Sequence, residues 1–107
     1  MKKNVLIVED ESIVAMDIQQ SLISLGYDVL GIASSGKKAI EFLSKRIKPD
    51  IILMDIMIKG DMTGIDVSAH VQEHHQIPVV FLTAYADDKT LEKAKNTEPY
   101  GYILKPF

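Results

Sequence analysis

Three carboxylates stand where short apolar runs end. Val5-Leu6-Ile7-Val8 runs into Glu9 and Asp10, and Ile51-Ile52-Leu53-Met54 runs into Asp55. Two later runs end in groups of other kinds: Val79-Val80-Phe81-Leu82 at Thr83, and the stretch from Tyr100 to Leu104 at Lys105. Clustered carboxylates repel one another, and they repel phosphate as well. A hard divalent cation removes both obstacles. Mg2+ suits oxygen ligands and takes one or two carboxylates together with phosphate oxygens. With Mg2+ held at Glu9, Asp10 and Asp55, the Asp55 carboxylate becomes a nucleophile able to attack phosphorus and form an acyl phosphate. The Thr83 hydroxyl and the Lys105 ammonium could each hold a phosphoryl oxygen. Phosphoryl transfer needs mostly such positioning and charge neutralisation. A single acid at a strand end is commonly a solvated loop residue. The chemical reading rests on all five groups ending apolar runs.

For these groups to meet, the apolar runs must be neighbouring strands. A run that is apolar on both faces reads as a strand of a parallel sheet covered on both sides. Ligand chemistry in such sheets gathers at the carboxyl ends of the strands. Between the first two runs, Ser12 reads as an N-cap and Ile13 to Leu25 as a helix. Its apolar face would carry Ile13, Met16, Ile18, Leu22, Ile23 and Leu25, and Gly26 would stop it. Tyr27 to Ala33 reads as a strand nearer a sheet edge. Ser34-Ser35-Gly36 turns into a helix from Lys37 to about Ile47, broken by Lys48-Pro49-Asp50. A loop from Ile56 to Gly64 leads to a third helix, Ile65 to His75, with Ile65, Val67, Ser68 and Val71 inward. Asp87 to Asn96 reads as a fourth, more polar helix, and Tyr100 to Leu104 as a fifth strand. This alternation predicts an α/β fold: a doubly wound, five-stranded parallel sheet with right-handed crossovers. Only Lys105-Pro106-Phe107 follows the last strand. The expectation is one domain over residues 1–107, trimmed from a longer protein, with the final helix absent from the chain.

The chain has 107 residues, of which 47% are apolar and 25% charged, which suits one globular domain. A net charge of -3 gives no reason to expect nucleic-acid or membrane-surface binding by this domain. With no cysteine, disulfides, thiolate catalysis and cysteine zinc sites are excluded. The apolar run near Met1 is too short for a signal-peptide core or a membrane span, so a cytoplasmic setting is the simplest expectation. His70 and His74 lie four apart and share a helix face that could chelate a metal. Nothing in the sequence completes that set, so they read as solvated surface histidines.

In this order and spacing, Val8-Glu9-Asp10-Glu11, Leu53-Met54-Asp55-Ile56-Met57, Leu82-Thr83-Ala84 and Tyr102-Ile103-Leu104-Lys105-Pro106-Phe107 resemble the receiver domain of two-component response regulators. The likeness covers essentially the whole chain. It implies a flavodoxin-like sheet of order 2-1-3-4-5. It implies that a sensor histidine kinase or phosphotransfer domain passes a phosphoryl group from a phosphohistidine to Asp55. By the same likeness, Asp10, Asp55 and the Met57 carbonyl would ligate Mg2+, with Glu9 acting through an intervening water. Thr83 and Lys105 would hold the phosphoryl oxygens, and the Lys105–Pro106 bond would be cis. An inward move of Thr83 would let Tyr102 rotate inward and change the surface that a downstream output domain or target protein reads. The likeness also leaves room for a homodimer. It implies a phosphoacceptor that catalyses only its own phosphorylation and slow dephosphorylation, not a turnover enzyme. Met57 and Tyr85 lie two residues beyond Asp55 and Thr83, where receivers with fast hydrolysis tend to carry polar groups. A thioether and a phenol there imply a long-lived phospho-form. The loop after Asp55 departs from the family pattern, with Lys59 near the usual proline and extra length before Gly64.

Two other readings use similar parts. A phosphatase of the haloacid dehalogenase type would need a second aspartate two residues after its nucleophile; Met57 stands there and cannot transfer a proton. A flavodoxin-like nucleotide or flavin binder would need an anion cradle after the first strand. Glu9-Asp10-Glu11 would repel phosphate instead.

Overall fold

The structure is a computed structural model describing residues 3–45, 48–55, 58, 60, 62–83 and 101–104; Thr83 and the last four are described by backbone alone. Its elements are β1 (Asn4–Val8), α1 (Ser12–Ser24), β2 (Asp28–Ala33), α2 (Gly36–Leu43), β3 (Ile51–Asp55), α3 (Gly64–His74), β4 (Val79–Thr83) and β5 (Gly101–Leu104). The strands form one parallel sheet in the order β2-β1-β3-β4-β5, with β3 at the centre and β2 at an edge. The expected doubly wound architecture and strand order are therefore present. The fourth helix expected over Asp87 to Asn96 lies outside the described residues.

The two faces of the sheet bury different sets of side chains, because successive strand residues point opposite ways. On one face Leu6, Val8, Ile52, Met54, Val79 and Phe81 pack against Ala39 and Leu43 of α2 and Val67 and Val71 of α3. On the other face Val5, Ile7, Leu53 and Leu82 pack against Ala15 and Ile18 of α1. Burial on both faces explains why β1 and β3 read as unbroken apolar runs. At its start β3 is tied to β1 twice: the Asp50 N–H donates to the Asn4 carbonyl (2.8 Å), and the Asn4 N–H donates to the Asp50 carboxylate (2.8 Å).

The helices correct the sequence reading in three main places. Ser12 is the first residue of α1 and not its N-cap. The cap is Glu11, in extended conformation and without a side-chain cap bond. The buried face of α1 is Ala15 and Ile18, flanked by half-buried Val14 and Leu22. Ile13 (76% exposed), Met16 (55%), Ile23 and Leu25 lie off that face. A helix with apolar residues on more than one side gives no unique face from spacing alone, and here Ala15 and Ile18 are the residues packed against the sheet. Third, α2 ends at Leu43, short of the expected Ile47. The Ser44 hydroxyl donates to the Glu41 carbonyl (2.6 Å), and the Lys48 ammonium donates to the Leu43 carbonyl (2.6 Å), so the terminal carbonyls find partners outside the helix.

The remaining helix ends follow local chemistry. Gly26 takes a φ of +95° just after α1, the left-handed conformation that favours glycine at a helix stop. The Ser35 hydroxyl accepts from the Lys38 N–H (3.2 Å) at the start of α2. Gly36 lets α2 approach α3, because a Cβ there would meet Val67 Cγ2 at 2.6 Å. Helix α3 opens with a capping box: the Asp66 N–H donates to the Thr63 hydroxyl (3.2 Å), and the Thr63 N–H donates to the Asp66 carboxylate (3.0 Å).

The Lys48 ammonium also lies 3.0 Å from His75 Nδ1. Lysine can only donate, so Nδ1 accepts and the ring proton sits on Nε2. Burial first, then Lys48 and the neighbouring His70 and His74, hold the His75 imidazole below its ordinary value. Between about pH 6.5 and that lowered folded-state value, the unfolded chain binds more protons than the folded one. Stability from this group is therefore present above about pH 6.5 and lost on acidification. In chelator-containing buffer, His75→Gln should flatten the fall of the urea midpoint between about pH 7 and about pH 5.5. An equal fall in both chains would contradict this assignment.

Candidate functional site

The register of the sheet brings the acids together. Val8 pairs with Met54, so Glu9 and Asp55 both stand one step beyond that pair. Asp55 pairs with Leu82, placing the Thr83 backbone one step further along the neighbouring strand. Thr83 pairs with Leu104, the residue before Lys105. Four strand ends therefore converge on one rim, as a parallel sheet requires of carboxyl-terminal residues.

One carboxylate oxygen from each of Glu9, Asp10 and Asp55 lies within 4.8 Å of the other two. Glu9 is 1% exposed and Asp55 4%, while Asp10 is half-buried. Burial separates this cluster from ordinary surface acids, since a charged carboxylate leaves water only where something favours it. Backbone contacts fix the cluster: the Glu9 N–H donates to the Ala33 carbonyl (3.0 Å), and the Glu11 N–H donates back to the Glu9 carboxylate (3.3 Å). That second bond holds the turn into α1. Glu11, and not Ser12, is the cap because its carbonyl accepts the first helical bond, from the Ala15 N–H (2.9 Å). Among the described residues the converging donors are carboxylate oxygens, and a hard cation of the Mg2+ kind fits such a set better than a softer metal.

Of the residues expected at the site, Glu9, Asp10 and Asp55 are thus brought together. The Thr83 and Tyr102 backbones lie on adjacent strands, with Tyr102 paired to Phe81. Their side chains, and Met57, Tyr85, Lys105 and the Lys105–Pro106 bond, lie outside the described residues. Sequence reasoning missed the depth of Glu9, which is as buried as the core. The signal was present in its place directly after four apolar residues.

The family profile described as "Response regulator receiver domain" matches residues 5–107, and the chain belongs to that family. It is 36% identical over 106 residues to the transcriptional regulatory protein PdtaR of Mycobacterium tuberculosis, covering 98% of this chain and 50% of that protein. It is 33% identical over 107 residues to the phyllosphere-induced regulator PhyR of Methylorubrum extorquens, covering 100% of this chain and 39% of that one. The chain therefore spans half or less of these relatives. Among solved structures it is similar to the signal receiver domain of a modulated diguanylate cyclase from Desulfovibrio desulfuricans, with TM-score 0.92 and 38% identity over 99% of this chain and 83% of that one. It is also similar to the receiver domain of a sensor histidine kinase from Pseudomonas aeruginosa solved with a magnesium ion in its active site cleft, with TM-score 0.86 and 27% identity over 100% of this chain and 88% of that one. The phosphatase and flavodoxin-like readings give way to the receiver family. No helix among the described residues is long and apolar enough to cross a membrane.

Proposed function

We propose that Asp55 is the phosphoacceptor of this receiver domain and that Glu9, Asp10, Asp55 and the Met57 carbonyl hold Mg2+ beside it. The observation that carries this reading is the convergence of buried Glu9 and Asp55 with Asp10 at the strand ends. The magnesium ion in the similar Pseudomonas receiver supports it. When bound, the ion offsets the negative charge that would otherwise exclude a phosphoryl group. An Asp55 carboxylate oxygen attacks the phosphorus of a phosphohistidine on a sensor histidine kinase or phosphotransfer domain. The new O–P bond forms as the P–N bond breaks, and the departing imidazole takes a proton. The Thr83 hydroxyl and the Lys105 ammonium hold phosphoryl oxygens, and Tyr102 on the edge strand reports the change to an output domain or target protein. The domain is a phosphoacceptor with no separate substrate to turn over. All 107 residues serve as one receiver unit of a longer regulator, in a cytoplasmic setting, with a homodimer as one form of output.

Incubation with acetyl phosphate and Mg2+ followed by intact mass should show one added phosphoryl group, and Asp55→Asn should show none. Uptake that survives in Asp55→Asn would overturn the assignment. Lifetime offers a second check. Met57→Asn with Tyr85→Glu supplies groups that can orient water, so dephosphorylation should speed up by at least about tenfold. Unchanged or slower decay of the phospho-form would contradict the role given to these two positions.

A further inference from the structure

Helix α3 carries a second group of ligand-type side chains that the phosphoryl site does not use. His70 and His74 lie one turn apart with ring centroids at 4.4 Å and planes tilted by 42°. His74 is exposed and His70 half-buried, so both rings can be reached from solvent. Among the described residues, neither ring makes a side-chain hydrogen bond. His75 adds a third ring, 5.9 Å from His70 and 6.5 Å from His74.

We propose that His70 and His74 form a two-imidazole chelate for a borderline divalent transition cation of the zinc, nickel or copper class, at the end of the domain opposite the acidic rim. The i, i+4 spacing stacks both side chains on one helix face. Imidazole nitrogens take such an ion at about 2.0–2.1 Å, and two rings with centroids 4.4 Å apart are close enough to share one. Neutral imidazole selects zinc, nickel and copper, whereas Mg2+ prefers oxygen, so the two sites divide the available metals by ligand chemistry. The site also sits at the carboxyl end of α3, where the helix dipole favours a cation. Lys48 is the described cation facing the cluster from the α2 side. Its ammonium is directed at the Leu43 carbonyl and at His75 Nδ1, which leaves His75 a packing neighbour and not a ligand. Two protein ligands leave the remaining coordination positions to water or to an incoming donor.

The two sites are separable by position. Asp55 ends β3 at the carboxyl edge of the sheet, whereas Lys48 and His75 lie just before the starts of β3 and β4. This inference stands apart from the assignment of Asp55. The test is calorimetric titration of the full chain with zinc chloride in saturating Mg2+, alongside NMR of the histidine ring protons. The expected result is one zinc per chain, with ring signals of His70 and His74 shifting together. His74→Gln should weaken binding by at least about tenfold, and Asp10→Asn should not. His74 is exposed, so its replacement spares the core. Zinc affinity unchanged in a His70→Gln, His74→Gln double variant, or loss of zinc binding in Asp10→Asn, would overturn the proposal. So would absence of binding at millimolar zinc.

Discussion

Asp10→Asn should weaken Mg2+ binding by about 100-fold while making the metal-free domain more stable. The two effects have one cause. Oxygens of Glu9, Asp10 and Asp55 lie within 4.8 Å of one another. Two unit charges at such a distance repel by about 3–4 kcal/mol at an effective dielectric constant of about 20. Asp10 is half-buried, so water screens its share to roughly 1 kcal/mol. Neutralising it relieves part of that repulsion and removes a proposed ligand at once. In chelating buffer the unfolding midpoint should rise by roughly 4–8 °C, the shift that about 1 kcal/mol produces in a domain of this size. In millimolar Mg2+ the gain should shrink or reverse, because the ion stabilises the parent chain more than the variant. Thermal melts with and without chelator would show this. A lower midpoint in chelator would mean that the Asp10 carboxylate is a structural anchor, and unchanged Mg2+ affinity would remove it from the ligand set.

Phe81→Ala should have the largest effect on stability. Phe81 is fully buried, pairs with Met54 on the central strand, and fills the space between the sheet and the α2–α3 layer. Truncating such a side chain costs about 3–5 kcal/mol through lost transfer energy and the cavity left behind. That is a large fraction of the roughly 5–15 kcal/mol that holds a small domain folded. Urea unfolding should show a much lower midpoint, and a variant unfolded in water is the extreme of the same result. Ile13→Ala is the matched contrast. Ile13 is 76% exposed on α1, so the same experiment should show a change within about 0.5 kcal/mol. A large loss in Ile13→Ala would mean that α1 turns a different face to the sheet.

That contrast marks the boundary of what the sequence makes legible. Ile51 to Asp55 announces a central strand because both faces of β3 are buried, which leaves no polar position until the strand ends. The same logic gives β1 and β4, and therefore the rim where Glu9, Asp10 and Asp55 meet. The face of α1 is not legible in this way. Val14, Ala15, Ile18 and Leu22 compete with Ile13, Met16, Ile23 and Leu25, and only packing against Val5, Ile7 and Leu53 decides between them. Helix ends depend on single hydrogen bonds. Ser44 and Lys48 satisfy the last carbonyls of α2 early, and the bond from the Ala15 N–H to the Glu11 carbonyl sets the cap of α1. The His70–His74–His75 group was half visible. The i, i+4 pair could be read from spacing, but His75 joins it as the C-cap of α3, where the backbone leaves helical geometry with a φ of -127°.

The central claim is that the acidic rim accepts a phosphoryl group at Asp55 only with a divalent cation in place. Its most direct test is treatment with acetyl phosphate in Mg2+ and in chelator, followed by borohydride reduction of the aspartyl phosphate and peptide mass mapping. Reduction confined to residue 55 and seen only with Mg2+ is the predicted result. A modified Asp55 in chelator, or modification at Glu9 or Asp10 in its place, would contradict it.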